Sequence, residues 1–321
     1  MKRTFLVRLA MLLVALSSAG AGAQGYPTKP ITIVVASATG GASDTLARLA
    51  AEAMQKALGQ PVVVISRPGA GGSIGVESVV RAAPDGYTFL LTSSGNVAIN
   101  PNVYKLSYDP VSQLAHVSIL VDVPFVLVTN KESGPRDLKS LIDAAKKRPG
   151  QVTMGNAGLG THQHLTQLIF AKAAGIDISI VPYKGSIPAT MDLMGGHIDS
   201  IIDNVGVQKQ LIESGKVHPI LTTAPNRLEA LPNIPTAQES GLPFSSVAWF
   251  GLAAPKGTPP EIIERVQSAV AATFATKAVR QRLIDDGFIP LASTAEFATE
   301  RVRRDAERLG KAAKELNLKV E

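Results

Sequence analysis

The sequence predicts an α/β chain of two lobes. Each lobe is a mostly parallel sheet flanked by helices, and a ligand cleft lies between them. Three observations carry this. Short Val/Ile/Leu runs of strand length alternate with stretches of helical periodicity. The runs are continuously apolar, as strands covered on both faces are. The alternation is crossed twice by short extended segments, near Val123-Pro124 and near Phe244–Val247, and neither has the Gly/Ser composition of a flexible linker.

The elements follow in order. Ile31–Ala36 is an apolar strand. Ser43–Leu58 places Leu46, Leu49, Ala50, Ala53, Met54 and Ala57 at helical spacing, and Gly59 stops it. Val62–Ile65 is a strand, Ile74–Ala83 a helix and Tyr87–Thr92 a strand. A second set begins with the strand Phe125–Thr129. The helix Arg136–Arg148 ends at Pro149-Gly150. Strands at Val152–Asn156, Ile178–Pro182, Ile198–Asp203 and His218–Thr222 alternate with helices at Thr161–Ala174, Ile187–Met194 and Val205–Ser214. Val247–Ala253 is a strand, and Pro259–Thr276, Ala278–Asp286 and Thr294–Leu316 are helices. In the last, Val302, Ala306, Leu309, Ala313 and Leu316 form an apolar stripe, which docks the helix on the first lobe. The expected division is residues 24–124 with 247–321 in lobe one, and 125–246 in lobe two.

Residues 1–23 read as a cleavable secretory signal. Lys2, Arg3 and Arg8 form a basic start, Leu9–Leu16 a short apolar core, and Ala21-Gly22-Ala23 an A-x-A-like cleavage site. The apolar run is far shorter than the roughly 20 residues that span a bilayer. Removing it leaves 29 basic against 26 acidic residues, a net charge of +3 rather than +6. That weak charge suits small anions and gives poor grounds for nucleic-acid binding. The 45% hydrophobic content excludes disorder. The lack of cysteine excludes disulfides, thiolate metal sites, a cysteine nucleophile and a lipid anchor on an N-terminal cysteine.

Polar, glycine-rich loops recur at strand ends. The first is Ser37-Ala38-Thr39-Gly40-Gly41-Ala42-Ser43-Asp44. Its glycines allow close backbone approach, and the following helix start presents N–H groups to an anion. Ser43 or Asp44 is expected to cap that helix. Ser93-Ser94-Gly95-Asn96 offers two hydroxyls at an equivalent place. In the second half, Asn156-Ala157-Gly158-Leu159-Gly160-Thr161 joins a strand to a helix capped by Thr161. Asp203-Asn204 ends another strand. No one loop is specific; their recurrence on both sides of a cleft is the signal. His164 is a candidate hydrogen-bonding residue near the cleft. His162 and His164 are two apart on a helix and do not share a face, which argues against a metal pair. Trp249 is either core or a cleft or hinge wall.

No metal or cofactor is expected, and enzyme signatures fail. There is no P-loop and no G-x-S-x-G elbow. Gly69-Ala70-Gly71-Gly72-Ser73-Ile74-Gly75 approaches a dinucleotide fingerprint, but its third glycine is one place late.

A set of motifs in fixed order resembles the Bug family of periplasmic solute-binding proteins, the TctC-type receptors of tripartite tricarboxylate transporters. They include Lys29-Pro30-Ile31-Thr32-Ile33-Val34-Val35, Leu58-Gly59-Gln60-Pro61, Arg67-Pro68-Gly69-Ala70-Gly71-Gly72 and Ala83-Pro84-Asp85-Gly86-Tyr87. Val181-Pro182-Tyr183-Lys184-Gly185, Leu231-Pro232-Asn233-Ile234-Pro235-Thr236 and Trp249-Phe250-Gly251-Leu252 follow. The resemblance covers essentially the whole chain after residue 23. It implies a type II periplasmic binding fold, no catalysis, and a carboxylate-bearing ligand held by strand-end loops. Carried onto this sequence, the ligand residues in lobe one are Gly40, Gly41 and Asp44 with Ser93 and Ser94; Ser37 and Thr39 of the same first loop are candidates beside them. In lobe two they are Asn156, Ala157, Gly158, Thr161, His164, Asp203 and Asn204. The implied role is a monomeric periplasmic receptor that closes on a small organic carboxylate and delivers it to a membrane permease or a sensor. Two other readings stand beside it: an orphan sensory or interaction protein with an altered cleft, and a secreted α/β enzyme.

One departure matters. The family pattern V-P-F-A-P-G-G is here Val35-Ala36-Ser37-Ala38-Thr39-Gly40-Gly41. Without the prolines the loop is expected to be less pre-set. Without the aromatic it loses an apolar wall and gains hydroxyls, which suits a more polar or bulkier ligand.

Overall fold

The computed structural model describes residues 25–37, 39 and 41–318. The expected secretory signal, Ala38 and Gly40 lie outside the described residues.

Among the described residues ten strands form one curled sheet whose two halves share a strand. In the first half β1 (Ile31–Val35) pairs in parallel with β2 (Val62–Ser66) and β3 (Thr88–Ser93). β9 (Val247–Pro255) runs antiparallel between β3 and β4 (Leu114–Asn130). In the second half β5 (Thr153–Asn156) pairs in parallel with β6 (Ser179–Pro182) and β7 (Ser200–Asn204). β7 and β8 (Val217–Thr222) both run antiparallel to β4. The two-residue β10 (Ile289–Pro290) also pairs with β4. These are two α/β lobes of the type II binding-protein kind.

The sequence reading places a strand only at Phe125–Thr129. The structure extends it upstream to Leu114, as one 17-residue strand. Leu114–Pro124 register against β9, and Phe125–Asn130 against β7 and β8. The first crossing is therefore the middle of a strand. Polar residues hide the upstream half from a search for apolar runs, and two of them, Ser118 and Asp122, are answered by distant groups. Ser118 Oγ donates to Ser293 O at 2.8 Å, and Asp122 Oδ1 accepts from Arg301 at 3.2 Å. Pro124 is tolerated at the point where the strand changes partners, where a missing N–H matters least.

The helices lie close to expectation. α1 (Ala42–Leu58) buries Leu46, Leu49, Ala50, Ala53 and Met54 and ends at Gly59, which takes φ 74°. α2 (Ser73–Val80) and the single turn α3 (Asn100–Val103) follow. α2 stops before the predicted Ala83, with Arg81 closing its last turn. α4 (Leu138–Lys147), α5 (His162–Ala174), α6 (Ser186–Met194) and α7 (Val205–Glu213) flank the second half. α8 (Pro260–Phe274) and α9 (Lys277–Asp285) precede α10 (Ala295–Glu315), which buries Ala298, Val302, Leu309 and Ala313. That stripe covers Val97, Ile119 and Trp249 of the first half. It also meets Leu165 of α5, so the C-terminal helix touches both halves.

Candidate functional site

The strand ends bring the loops together. After β1, Gly41 is the N-cap of α1, and its carbonyl accepts from Asp44 N at 3.0 Å and Thr45 N at 3.2 Å. The helix therefore starts before the expected cap. Ser43 and Asp44 lie in its first turn, and Asp44 is buried and accepts from Arg48 Nε at 3.1 Å. Ser37 Oγ and Ser43 Oγ are 2.6 Å apart, and the Ser66 hydroxyl donates to the Ser37 carbonyl. Hydroxyl bonds thus restrain a loop that lacks its prolines. Thr39 and Gly41 are exposed and Ser37 is half-buried. A Cβ on Gly72 would lie 3.0 Å from Ala36 O and 3.6 Å from Asn96 Cβ. The loops after β1, β2 and β3 abut there.

After β3, Ser93 is half-buried. Its N–H donates to Asn96 Oδ1 at 2.9 Å. Ser94 is fully buried, with its Oγ 2.7 Å from His162 Nδ1 at the start of α5. That contact joins a strand-end loop of each half.

In the second half, Thr161 caps α5 as predicted. Its Oγ1 accepts from His164 N at 3.2 Å and donates to Gly158 O at 2.7 Å. Gly158 and Gly160 take φ 134° and 73°, which makes the turn strained for other residues. Asn156 is buried. Its Oδ1 accepts from Gly158 N at 2.7 Å, and its amide donates to Gln167 Oε1 at 2.9 Å. His164 is buried, and Nδ1 accepts from Gly160 N at 3.3 Å, which leaves the proton on Nε2. Burial lowers its pKa and keeps it neutral.

Asp203 is almost wholly buried and fully engaged. Its Oδ1 accepts from Gln163 Nε2 at 3.0 Å, Ser186 Oγ at 2.6 Å and Asn204 N at 2.8 Å. Its Oδ2 accepts from Gln208 Nε2 at 3.1 Å. Burial raises its pKa, and the four donors oppose that rise. Donors from α5, α6 and α7 thus engage this carboxylate within the second half. Asn204 beside it is half-buried.

The candidates fall into two groups. Ser37, Thr39, Gly41, Ser93, Ala157, Gly158, Thr161 and Asn204 keep some exposure, whereas Asp44, Ser94, Asn156, His164 and Asp203 are buried. Gly40 lies outside the described residues. Sequence reasoning missed Gln163, Gln167, Ser186, Gln208 and Ser246, and did not see His162 as a bonded core residue. One signal was present. His162, Gln163, Thr166 and Gln167 form two i, i+4 polar pairs in the first turns of a helix, and all four are buried. Among the described residues no group of three or more His, Asp or Glu could hold a metal ion, and no helix is long and apolar enough to cross a membrane.

Comparison with known proteins agrees with this geometry. The family model TctC, described as tripartite tricarboxylate transporter family receptor, matches residues 46–318. BugT of Bordetella pertussis is 36% identical over 311 residues, covering 92% of this chain and 94% of BugT. An R. palustris protein solved with adipate is 33% identical, with a TM-score of 0.85 over 92% of this chain and 99% of that chain. MatC from Rhodopseudomonas palustris, solved with bound malate, is 31% identical, with a TM-score of 0.81 over 89% of this chain and 99% of that one. Likeness along nearly the full length of each partner is membership, and the chain belongs to the TctC family of tripartite tricarboxylate transporter receptors.

Proposed function

We propose that this chain is a periplasmic receptor that closes on a small organic carboxylate and delivers it to a tripartite-type membrane permease. One observation carries the reading: the Ser94–His162 contact sets a strand-end loop of one lobe beside a strand-end loop of the other. Loops of this kind offer backbone N–H groups at helix starts and hydroxyls, which suit a carboxylate without a cationic side chain. Adipate and malate in the two R. palustris structures belong to the same ligand class.

In this reading the lobes are residues 24–124 with 247–321, and 125–246. The change of partners along β4 and the start of β9 at Val247 support that division. The backbone and hydroxyls of Ser37, Thr39, Gly41, Ser93, Ala157, Gly158, Thr161 and Asn204, which keep some exposure, meet the ligand, with Gly40 a further candidate of the first loop. His164 donates from Nε2. Asp44, Ser94, Asn156 and Asp203 hold those loops in place. The protein acts as a monomer, enters the periplasm with cleavage near Ala23, and binds without turnover. Closure is a hinge motion whose closed form the permease reads.

Thermal unfolding against dicarboxylates, tricarboxylates, aromatic acids and amino acids tests this. A ligand at 100 times its Kd stabilises by about 2.7 kcal/mol, which raises the midpoint by roughly 5–10 °C in a chain of this size. A flat panel on ligand-free protein would remove the carboxylate reading.

A further inference from the structure

One imidazole touches both lobes and both crossings. His162 Nδ1 lies 2.7 Å from Ser94 Oγ, at the end of β3. His162 Nε2 lies 3.2 Å from Ser246 Oγ, on the return segment just before β9. The ring of Phe125, the first β4 residue to pair with the second half, is centred 5.6 Å from it. The network continues outward. Ser246 Oγ is 2.6 Å from Thr166 Oγ1, and the Ser246 carbonyl accepts from the Thr223 hydroxyl. The Trp249 N–H donates to Ser94 Oγ at 3.4 Å. Ser94, His162, Thr166, Thr223 and Ser246 are all buried.

An apolar side chain would fill this volume without polar bonds to satisfy. What the imidazole adds is direction. Its two nitrogens face hydroxyls on different segments, and a hydroxyl can turn to keep a bond while its backbone rotates. The charged groups that act on the ring are Arg308, Asp305 and Arg301, all from α10, and burial keeps the ring neutral.

We propose that His162 is the hinge pin of this receptor. It is a positioning residue that keeps Ser94 of lobe one against α5 of lobe two throughout closure. Ser93 and the Thr161–His164 turn then reach a ligand in fixed relation. The inference rests on the ligand-cleft reading above, but its first test needs no ligand.

The chain has no cysteine, so spin labels on I74C and I187C are unique. Both side chains are exposed, and they follow β2 and β6, the outermost strands of the two halves. Pulsed EPR distances between them are measured in this background and with S94A, H162L, H162Q and S94A/H162L added. Loss of the pin broadens the ligand-free distribution in S94A and H162L. The double variant is no broader than H162L, because the two residues share one bond. H162Q, which keeps a donor and an acceptor, stays near the parent. Malate and adipate are then titrated. Whichever binds the parent binds H162L weaker by roughly three- to tenfold, the equivalent of one net hydrogen bond. Parent-like distributions in folded S94A and H162L, or additive broadening, would overturn the pin. S94A removes a single hydroxyl and decides the matter if H162L does not fold. If no carboxylate binds the parent, the ligand reading fails, and the pin is still judged on the ligand-free widths.

Discussion

The indole N–H of Trp249 donates to Asp305 Oδ2 across 2.9 Å. The bond ties β9 to α10 beside the place where the chain passes between lobes. The same carboxylate oxygen accepts from Arg301 Nε at 2.6 Å, and Arg301 reaches on to Asp122 of β4 at 3.2 Å. Trp249 is wholly buried, so of the two roles open to it at the level of sequence it takes the core one. It packs there with Val97, Ile119, Ala298 and Val302.

Arg301 is the linchpin of that cluster. Its side chain is 13% exposed, and its partners Asp122 and Asp305 are 18% and 2% exposed. R301A leaves Asp122 without its bonded cation, while Asp305 keeps Arg308 at 3.4 Å and Arg304 at 4.0 Å. The expected loss lies at the lower end of the about 3–5 kcal/mol that follows from breaking a buried pair from one side. Urea unfolding followed by the fluorescence of the single tryptophan measures it.

Asp203 separates charge from shape. In D203N the remaining Oδ1 keeps Gln163, Ser186 and the Asn204 N–H. The new amide donates to Gln208 Oε1, which has no hydrogen-bond partner now, once that side chain flips. D203N should therefore fall within about 1 kcal/mol of the parent, and D203A should lose about 3 kcal/mol by stranding several buried donors. A pH series adds a sign. Burial raises the folded pKa of Asp203, so the native state holds its proton more tightly, and its contribution weakens as pH rises through that folded value. Parent stability relative to D203N should improve on acidification, and a flat difference would count against an unusual carboxylate.

Three buried histidines act in the opposite direction, and His116 and His162 move furthest. Burial pushes His116 down to about 4 and His162 down to about 3. The unfolded chain takes up both protons near pH 6.5, whereas the native chain does not. Their contribution is complete above pH 6.5 and is lost as pH falls toward the folded values. The slope approaches about 2.7 kcal/mol per pH unit for the two together. H162Q should remove one group's share, at most about 1.4 kcal/mol per pH unit, read from denaturant midpoints between pH 7 and 4.5.

Ser37 tests the altered first loop. S37A removes the 2.6 Å bond to Ser43 and the hydroxyl proposed to meet the ligand, and it should weaken carboxylate binding by roughly two- to fivefold. S37F restores an aromatic wall as well, and should weaken binding of the native ligand further. Calorimetry on both variants checks the order, and an S37F affinity equal to the parent's would show that this wall does not face the ligand.

Local signals in the sequence determined the order and type of nearly every element. The helical stripe of α10, the Thr161 cap and the Gly59 stop depend on neighbours within a turn or two, where period and capping chemistry act. The two-lobed architecture and the placement of glycine-rich loops at strand ends were legible for the same reason. Only the tertiary structure decided where the buried polar groups find their partners. Asp203 is held from positions 163, 186, 204 and 208. His162 bonds to positions 94 and 246, and Ser118 to position 293. Those separations carry no periodic trace. A buried polar side chain must be satisfied, but which group satisfies it is set by how sheets and helices pack around it. The same packing made one strand of β4, because Ser118 and Asp122, which interrupt its apolar pattern, are answered from elsewhere in the chain.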